Sequence, residues 1–367
     1  MRKPDGDPSI STSLRPEMVI AQGLACHMSM IDIPLTAPDS TPPDSTLTHA
    51  SRIPEGRRRR RLLRDGLSES RLRRDAETGT TLRLAHGLYL PLPRATSAEE
   101  VDEILRLRPP SPEWATLQAL TAEGPHVVSH GTAAIIHGLW DAAPTAPFHI
   151  TSPRPGGQMR RPGVVVGHRS AIPEEQTMEV QGVRVTTPAR TWADCATQMR
   201  LVEALVMADR AIRHPWPEWE GRTQPLATPA ELDLALRRKG RARGVRTARA
   251  ALVLSRIGSD SPPETRLRYA FHRAGLPEPE VNVPVVDESG RILFRPDLGF
   301  RRYKVSVQYD GEPHSDPRRV RRDVRRGEST DGAGWLQVLI TADHMHPSPE
   351  AAVEKTKRAL RSRGWDG

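Results

Sequence analysis

The sequence predicts an α/β protein built from several modules, and three observations carry that reading. The chain has 367 residues, too many for one ordinary domain, and its 35 prolines gather largely in links between periodic segments. Apolar runs of strand length, such as Phe148-His149-Ile150, Val164-Val165-Val166 and Val183-Arg184-Val185, alternate with segments of helical apolar spacing such as Leu201 to Ile212. The formal charge of +9 is carried by clustered arginines, and clustering, more than the total, points to a polyanionic partner.

Composition also excludes several classes. Cys26 and Cys195 are the only cysteines and lie in segments of different character, which leaves no disulfide framework and no Cys-based zinc site and suits a cytoplasmic protein. No apolar run of membrane-spanning length exists, and Met1-Arg2-Lys3-Pro4-Asp5 opens polar, so neither a membrane span nor a signal peptide is expected. Residues 1–55 hold Ser, Thr, Pro and Asp with little periodicity and are expected to form a disordered tail, within which Met18, Met28 and Met30 are alternative starts.

Residues 56–95 form the first expected module. Arg57 to Asp65 and Ser68 to Glu77 read as two short helices split by Gly66, with Ser68 as the N-cap. Thr80 to Leu90 reads as a hairpin turning at His86-Gly87. Helix, helix, hairpin is the outline of a winged helix-turn-helix. Its second helix presents Arg71, Arg73 and Arg74 for phosphate and major-groove contacts, although a solvated surface helix would carry the same residues.

The middle α/β module spans 111–215. A helix from Trp114, a second around Ala133 to Ile136 and the strands already named are expected, followed by a helix opening at Thr187-Pro188 and another over Leu201 to Ile212. His130, His137, His149 and His168 fall here, at spacings that match no zinc motif, which favours structural roles at strand ends and caps. Residues 216–257 read as a basic linker with one helix. After Pro215-Trp216-Pro217, Thr228 with Glu231 makes a capping box. Arg237, Arg238, Lys239, Arg241, Arg243, Arg246 and Arg249 then follow without an acid among them. Arg241 and Arg243 are taken as phosphate contacts; a solvated linker is the competing reading.

The last module, 258–363, opens with Ser261-Pro262-Pro263-Glu264, a second capping signal. Strands are expected at Glu280 to Val286, Arg291 to Phe294, Lys304 to Tyr309 and Trp335 to Thr341, with helices at Pro317 to Arg326 and Pro349 to Leu360. Asp297 and Asp310 come to one end of neighbouring strands, and such a carboxylate pair suits a hard cation such as Mg²⁺, which wants oxygen ligands and keeps several waters. Gln308 stands where such a site usually has a third acid.

These residues carry a resemblance. Ser261 with Glu264, Asp297-Leu298, Tyr309-Asp310-Gly311 with His314, Asp323 with Arg326, and Gly334-Trp335 before Thr341-Ala342-Asp343 resemble the family called domain of unknown function 559, itself similar to very-short-patch-repair endonucleases. The resemblance implies a restriction-endonuclease-like core in which Asp297, Asp310 and Glu264 hold Mg²⁺, Gln308 replaces a Glu, and His314 orients water or protonates the leaving oxygen. Arg318 and Arg322 become candidate DNA contacts. Upstream, Ser129-His130 with Gly138-Leu139, and Thr187 to Asp194, resemble the AbiEi-type antitoxins of type IV toxin-antitoxin systems, whose DNA-binding wing the hairpin Leu84 to Tyr89 would supply. The leading expectation is therefore the enzyme, with a regulator as the alternative. The enzyme is a Mg²⁺-dependent endonuclease that hydrolyses phosphodiester bonds in DNA. The regulator is a non-catalytic DNA-binding protein of the antitoxin type with a degenerate nuclease fold. A cognate toxin or a restriction-modification protein is the expected partner.

Overall fold

A computed structural model describes residues 54–92, 110–310, 330 and 332–367. The expected tail, His314, Arg318, Arg322 and the expected helix Pro317 to Arg326 with Asp323 lie outside the described residues, apart from the tail's last two positions. The chain divides into two compact units, one of residues up to Ile136 with Ala142–Thr187, the other of His137–Asp141 with Pro188–Gly367. The module expected at 111–215 runs across this division, because residues from Pro188 onward pack as helices of the second unit, and the segment 216–257 lies entirely within that unit.

The first unit begins with β1 (Arg57–Arg58), α1 (Arg59–Arg64), α2 (Glu69–Glu77), β2 (Thr81–Ala85) and β3 (Leu88–Pro91). Their sheet runs β1-β3-β2. Ser68 caps α2 as its sequence predicts, its Oγ accepting the Arg71 N–H at 3.2 Å. The expected turn falls at His86-Gly87, where Gly87 takes φ 71°, a conformation open to glycine.

Next come α3 (Pro112–Thr121), β4 (Val127–Val128), α4 (His130–Ile136), β5 (Phe148–Pro153), β6 (Val165–Ser170), β7 (Thr177–Val180) and β8 (Val183–Thr186). The five-stranded sheet runs β6-β5-β4-β8-β7, with β5/β6 and β4/β8 parallel and the other pairs antiparallel. Helix α3 is buried from Trp114 through Thr121, and Leu88 of the hairpin shares one core with its Leu117 and Leu120 and with Phe148, Ile150, Val183 and Val185 of the sheet. The hairpin module is thus continuous with the sheet that follows it. Arg58 ties the join: its Nε and Nη2 donate to the carbonyls of Ala119 and Leu120 at 2.9 and 2.5 Å, satisfying acceptors in the last turn of α3.

The second unit opens with α5 (Pro188–Ala196), α6 (Leu201–Ile212), α7 (Pro217–Glu220), α8 (Pro229–Arg238), α9 (Val245–Leu254) and α10 (Pro262–Arg273). Helix α6 is central, packed by α5, α9 and α10. The helix expected after Thr228 is α8, with Leu232 and Leu236 buried, and part of the basic stretch read as a linker forms a second amphipathic helix, α9, with Val245, Ala248 and Ala251 buried. The capping box of α8 is present in full: Thr228 N–H donates to Glu231 Oε2 at 2.7 Å and Glu231 N–H to Thr228 Oγ1 at 3.2 Å.

Strands β9 (Glu280–Val281), β10 (Val285–Val286), β11 (Ile292–Phe294), β12 (Leu298–Phe300), β13 (Val305–Asp310) and β14 (Leu336–Thr341) follow, then α11 (Ala342–Met345) and α12 (Glu350–Ser362). The main sheet runs β14-β13-β12-β9, with β13 and β14 parallel. Two expectations change. The run Glu280 to Val286 breaks into β9 and β10, because Asn282 turns left-handed at φ 50° and Pro284 cannot donate to a ladder. The run ending at Phe294 pairs with β10 in a separate ribbon, so the neighbour of β13 is β12, which Asp297 introduces. Leu267, Phe271, Leu298, Phe300, Val305, Val307, Ile340 and Leu360 fill the core of sheet and helices. No helix among the described residues is long and apolar enough to cross a membrane.

Candidate functional site

In the second unit, Asp297 lies just before β12. The antiparallel register that sets Leu298 against Val307 carries it alongside Gln308 and Tyr309, and its Oδ2 accepts the Tyr309 N–H at 2.7 Å. Gln308 is 3% exposed and its Nε2 donates to the Arg295 carbonyl at 3.1 Å. Asp310 ends β13 opposite Thr341, half-buried.

Glu264 comes from the first turn of α10. Ser261 occupies the N-cap position but does not cap with its oxygen; its hydroxyl donates to Glu264 Oε1 at 2.7 Å, while the Asp260 N–H donates to Oε2 at 2.9 Å. The expected cap is thereby reversed, with the acid accepting from the residues before the helix. Burial first, and then the nearby charge of Asp297, push the Glu264 carboxyl up to about 7. Glu264 and Asp297 therefore sense one another directly, with Gln308 and Asp310 on the adjoining strand.

The donor set consists of carboxylate oxygens, each with more than one lone pair. That chemistry fits a hard cation that retains water. Among the described residues, however, the three-residue group of potential metal ligands that converges is His130, His149 and His168; Glu264, Asp297 and Asp310 do not form a second. The register accounts for this, because it sets Asp297 against Gln308 and leaves Asp310 two residues further along. Spacing in the sequence argues for separate structural histidines, and only the pairing of β5 with β6 brings them together.

The arginines divide by use. On α2, Arg71 Nε is engaged by Asp75 at 2.8 Å, whereas Arg73 and Arg74 are exposed without a carboxylate partner among the described residues. Arg83 and His86 are exposed on the hairpin. The run Arg57 to Arg61 is largely spent on the fold: Arg57 and Arg61 bind Asp65, Arg59 binds Glu69, and Arg60 joins Arg64 on Glu123. In the second unit Arg237 pairs with Asp233 and Lys239 with the buried Asp194. Arg241, Arg243, Arg246 and Arg249 stay exposed, with no carboxylate partner among the described residues.

Residues 126–214 match the family described as the AbiEi antitoxin C-terminal domain. That span includes both stretches on which the upstream resemblance rests, the start of α4 and the segment Thr187 to Asp194. Within the latter, Arg190 Nε donates to Asp194 Oδ1 at 3.0 Å and the Trp192 indole to the Ala204 carbonyl at 3.0 Å, so the motif folds α5 against α6. Over 287 residues the chain is 26% identical to two uncharacterized proteins of Mycobacterium tuberculosis, from strains CDC 1551 / Oshkosh and ATCC 25618 / H37Rv, covering 77% of this chain and 94% of each relative.

Proposed function

We propose that the protein is a DNA-binding regulator of the antitoxin type, in which β1 to β3 with α1 and α2 act as a winged helix-turn-helix and the chain neutralises a cognate toxin. The observation that carries the reading is the antitoxin-family match at 126–214, directly behind a two-helix-and-hairpin module whose second helix presents Arg73 and Arg74. Helix α2 would enter the major groove, and Arg83 and His86 of the hairpin would meet the flanking backbone; taken by itself, the second unit offers Arg241 and Arg243 as candidate phosphate contacts. The test is duplex binding by fluorescence anisotropy, using the DNA upstream of the protein's own gene against a scrambled duplex over a salt series. Co-expression with the products of the adjacent genes tests neutralisation. Tighter binding to the upstream duplex together with rescue from a toxic neighbour is the expected result; equal, weak binding to both duplexes with no rescue would reject the reading.

A second reading rests on one specific observation, the placing of Asp297 beside Gln308 and Tyr309 where β12 meets β13, with Glu264 near enough to feel its charge. In it the second unit is a nuclease-like domain in which Asp297, with Glu264 and Asp310, would hold Mg²⁺. The ion would supply an activated water for phosphodiester hydrolysis. Asp297 is oriented for that role by the Tyr309 N–H, and Glu264 is poised to exchange a proton near neutral pH. A plasmid-nicking assay with Mg²⁺ or Mn²⁺ decides it: nicking that Asp297→Ala abolishes supports an enzyme, and nicking unaffected by Asp297→Ala removes the site from consideration.

A further inference from the structure

Three imidazoles meet on one face of the five-stranded sheet. Phe148 and Ile150 of β5 point into the apolar core, so His149 between them and Thr151 beyond point to the opposite face. His168 of β6 is the register partner of Thr151 and shares that face. His130, at the start of α4, completes the group. His149 Nδ1 and His168 Nε2 are 2.9 Å apart. The His130 ring stacks on that of His168 with centroids 3.7 Å apart and lies 5.9 Å from that of His149. One potential ligand nitrogen from each residue lies within 4.8 Å of the other two.

We propose that His130, His149 and His168 form a binding site for a transition-metal ion of the zinc class, with three neutral imidazole nitrogens as ligands and a fourth position open to solvent. Two facing imidazole nitrogens at hydrogen-bond distance can share one proton, and a divalent cation can take the place of that proton. Nitrogen donors select Zn²⁺, Co²⁺, Ni²⁺ or Cu²⁺ over Mg²⁺, and three histidines with one open position are a recurring zinc arrangement. All three side chains are half-buried, so they are held by the fold and still reachable from solvent.

The surroundings suit ligands held in fixed orientation. His130 Nδ1 lies 2.9 Å from Ser129 Oγ, which in turn accepts the Thr151 hydroxyl at 2.6 Å. When Nδ1–H donates to Ser129, the lone pair of His130 is left on Nε2, the usual way in which an outer hydrogen bond selects a ligand tautomer. The His149 N–H donates to Thr132 Oγ1 at 2.9 Å, fastening β5 to α4 beside the group. His130 itself takes φ 50°, a backbone region that residues with a Cβ seldom adopt and that tends to mark functional positions. Loading requires small movements. Zn–N bonds of about 2.0–2.1 Å place tetrahedral ligands roughly 3.3 Å apart, so the His149–His168 contact opens by a few tenths of an ångström. The His130 ring also turns out of its stack, because an ion is bound in the ring plane.

The test uses the untagged full-length chain titrated with Co²⁺, followed by its visible d–d bands, and with Zn²⁺ in competition with a chromophoric chelator. Expected are one ion per chain, tetrahedral Co²⁺ bands that Zn²⁺ quenches, and a loss in the double variant His149→Gln/His168→Gln exceeding the roughly 10- to 100-fold that outer-shell changes cost. His214→Gln, an exposed histidine outside the group, leaves binding unchanged. Absence of a saturable one-to-one site, or unchanged affinity in a double variant with a native circular dichroism spectrum, would overturn the proposal. If the double variant does not fold, Zn²⁺ protection of the wild-type histidines against diethyl pyrocarbonate decides the matter. Selective protection of His130, His149 and His168 upholds the site, and modification of all three regardless of Zn²⁺ defeats it.

Discussion

Arg268 Nη2 meets Asp209 Oδ2 at 2.7 Å with side chains 3% and 1% exposed, joining α10 to α6 through a buried ion pair. Asp209 also accepts the Thr265 hydroxyl at 2.9 Å and the Arg256 N–H at 2.8 Å. Arg268 follows Glu264 by one helical turn, so this pair fixes the helix that delivers Glu264. Removing one member of such a pair leaves a buried charge uncompensated. Asp209→Ala is therefore expected to destabilise the second unit by about 3–5 kcal/mol. Asp209→Ala/Arg268→Met should recover part of that loss, and urea unfolding of both variants checks it.

Glu264 predicts a pH dependence of stability. Its ordinary value of 4.5 is raised to about 7 in the fold, so between those limits the native state holds a proton that the unfolded chain has released. The contribution is complete below pH 4.5 and is lost as pH rises through about 7, amounting to roughly 3 kcal/mol at about 1.4 kcal/mol per pH unit of separation. Glu264→Gln should flatten this slope in denaturation midpoints measured from pH 5 to 8. An unchanged slope would show that the carboxyl titrates normally.

On α2 the arginines should separate by their present partners. Arg73→Ala/Arg74→Ala is expected to lower the slope of log affinity against log salt for duplex DNA by about 2, near 0.9 for each phosphate that is no longer neutralised. Arg71→Ala should leave the slope almost intact, because Arg71 serves Asp75; its cost is in stability, at least about 0.3–0.5 kcal/mol for a helical pair of this spacing. Equal changes from both substitutions would refute the assignment of α2 as the groove-facing helix.

These contrasts mark what the sequence can disclose. Ser68 before α2, the Thr228/Glu231 box and the turn at His86-Gly87 are local devices, each decided within four residues, and each appears where its chemistry predicts. The employment of Arg60 and Arg64 by Glu123, of Arg58 by the end of α3 and of Lys239 by Asp194 depends on chain segments far apart in sequence, so a run of arginines looks equally free in every case. The histidine group is hidden for the same reason, since its members come from a helix start and two strands whose register no spacing announces. At the carboxylate site the residues are legible and their geometry is not: Asp297 reads as the end of a strand with Phe294, yet it introduces β12.

Gly244 offers a sharp test of the packing of α9. It takes φ 82°, and a Cβ built there would come within 1.9 Å of the Thr197 carbonyl oxygen. Backbone cannot yield as a side-chain tip does. Gly244→Ala is expected to cost at least about 3 kcal/mol, combining a left-handed penalty of about 1–2 kcal/mol with displacement of α9. Thermal unfolding measures it, and a cost below about 1 kcal/mol would mean that the Gly244 loop repacks freely.

Gln308→Glu separates the two functional readings through stability as well as activity. The Gln308 amide is a donor to the Arg295 carbonyl, a role that an ionised carboxylate cannot fill, and the substitution adds a buried negative charge beside Asp297. Losing the donor and burying the charge should cost about 2–4 kcal/mol at pH 8, and less at pH 5, where carboxyls take up protons. Mg²⁺ distinguishes what the residue replaced. If the second unit retains a cation site, millimolar Mg²⁺ restores much of the lost stability at pH 8, because the added carboxylate gains a ligand role, and nicking activity rises with it. If Gln308 belongs to a frame that no longer admits a cation, Mg²⁺ leaves the midpoint of the variant where it was.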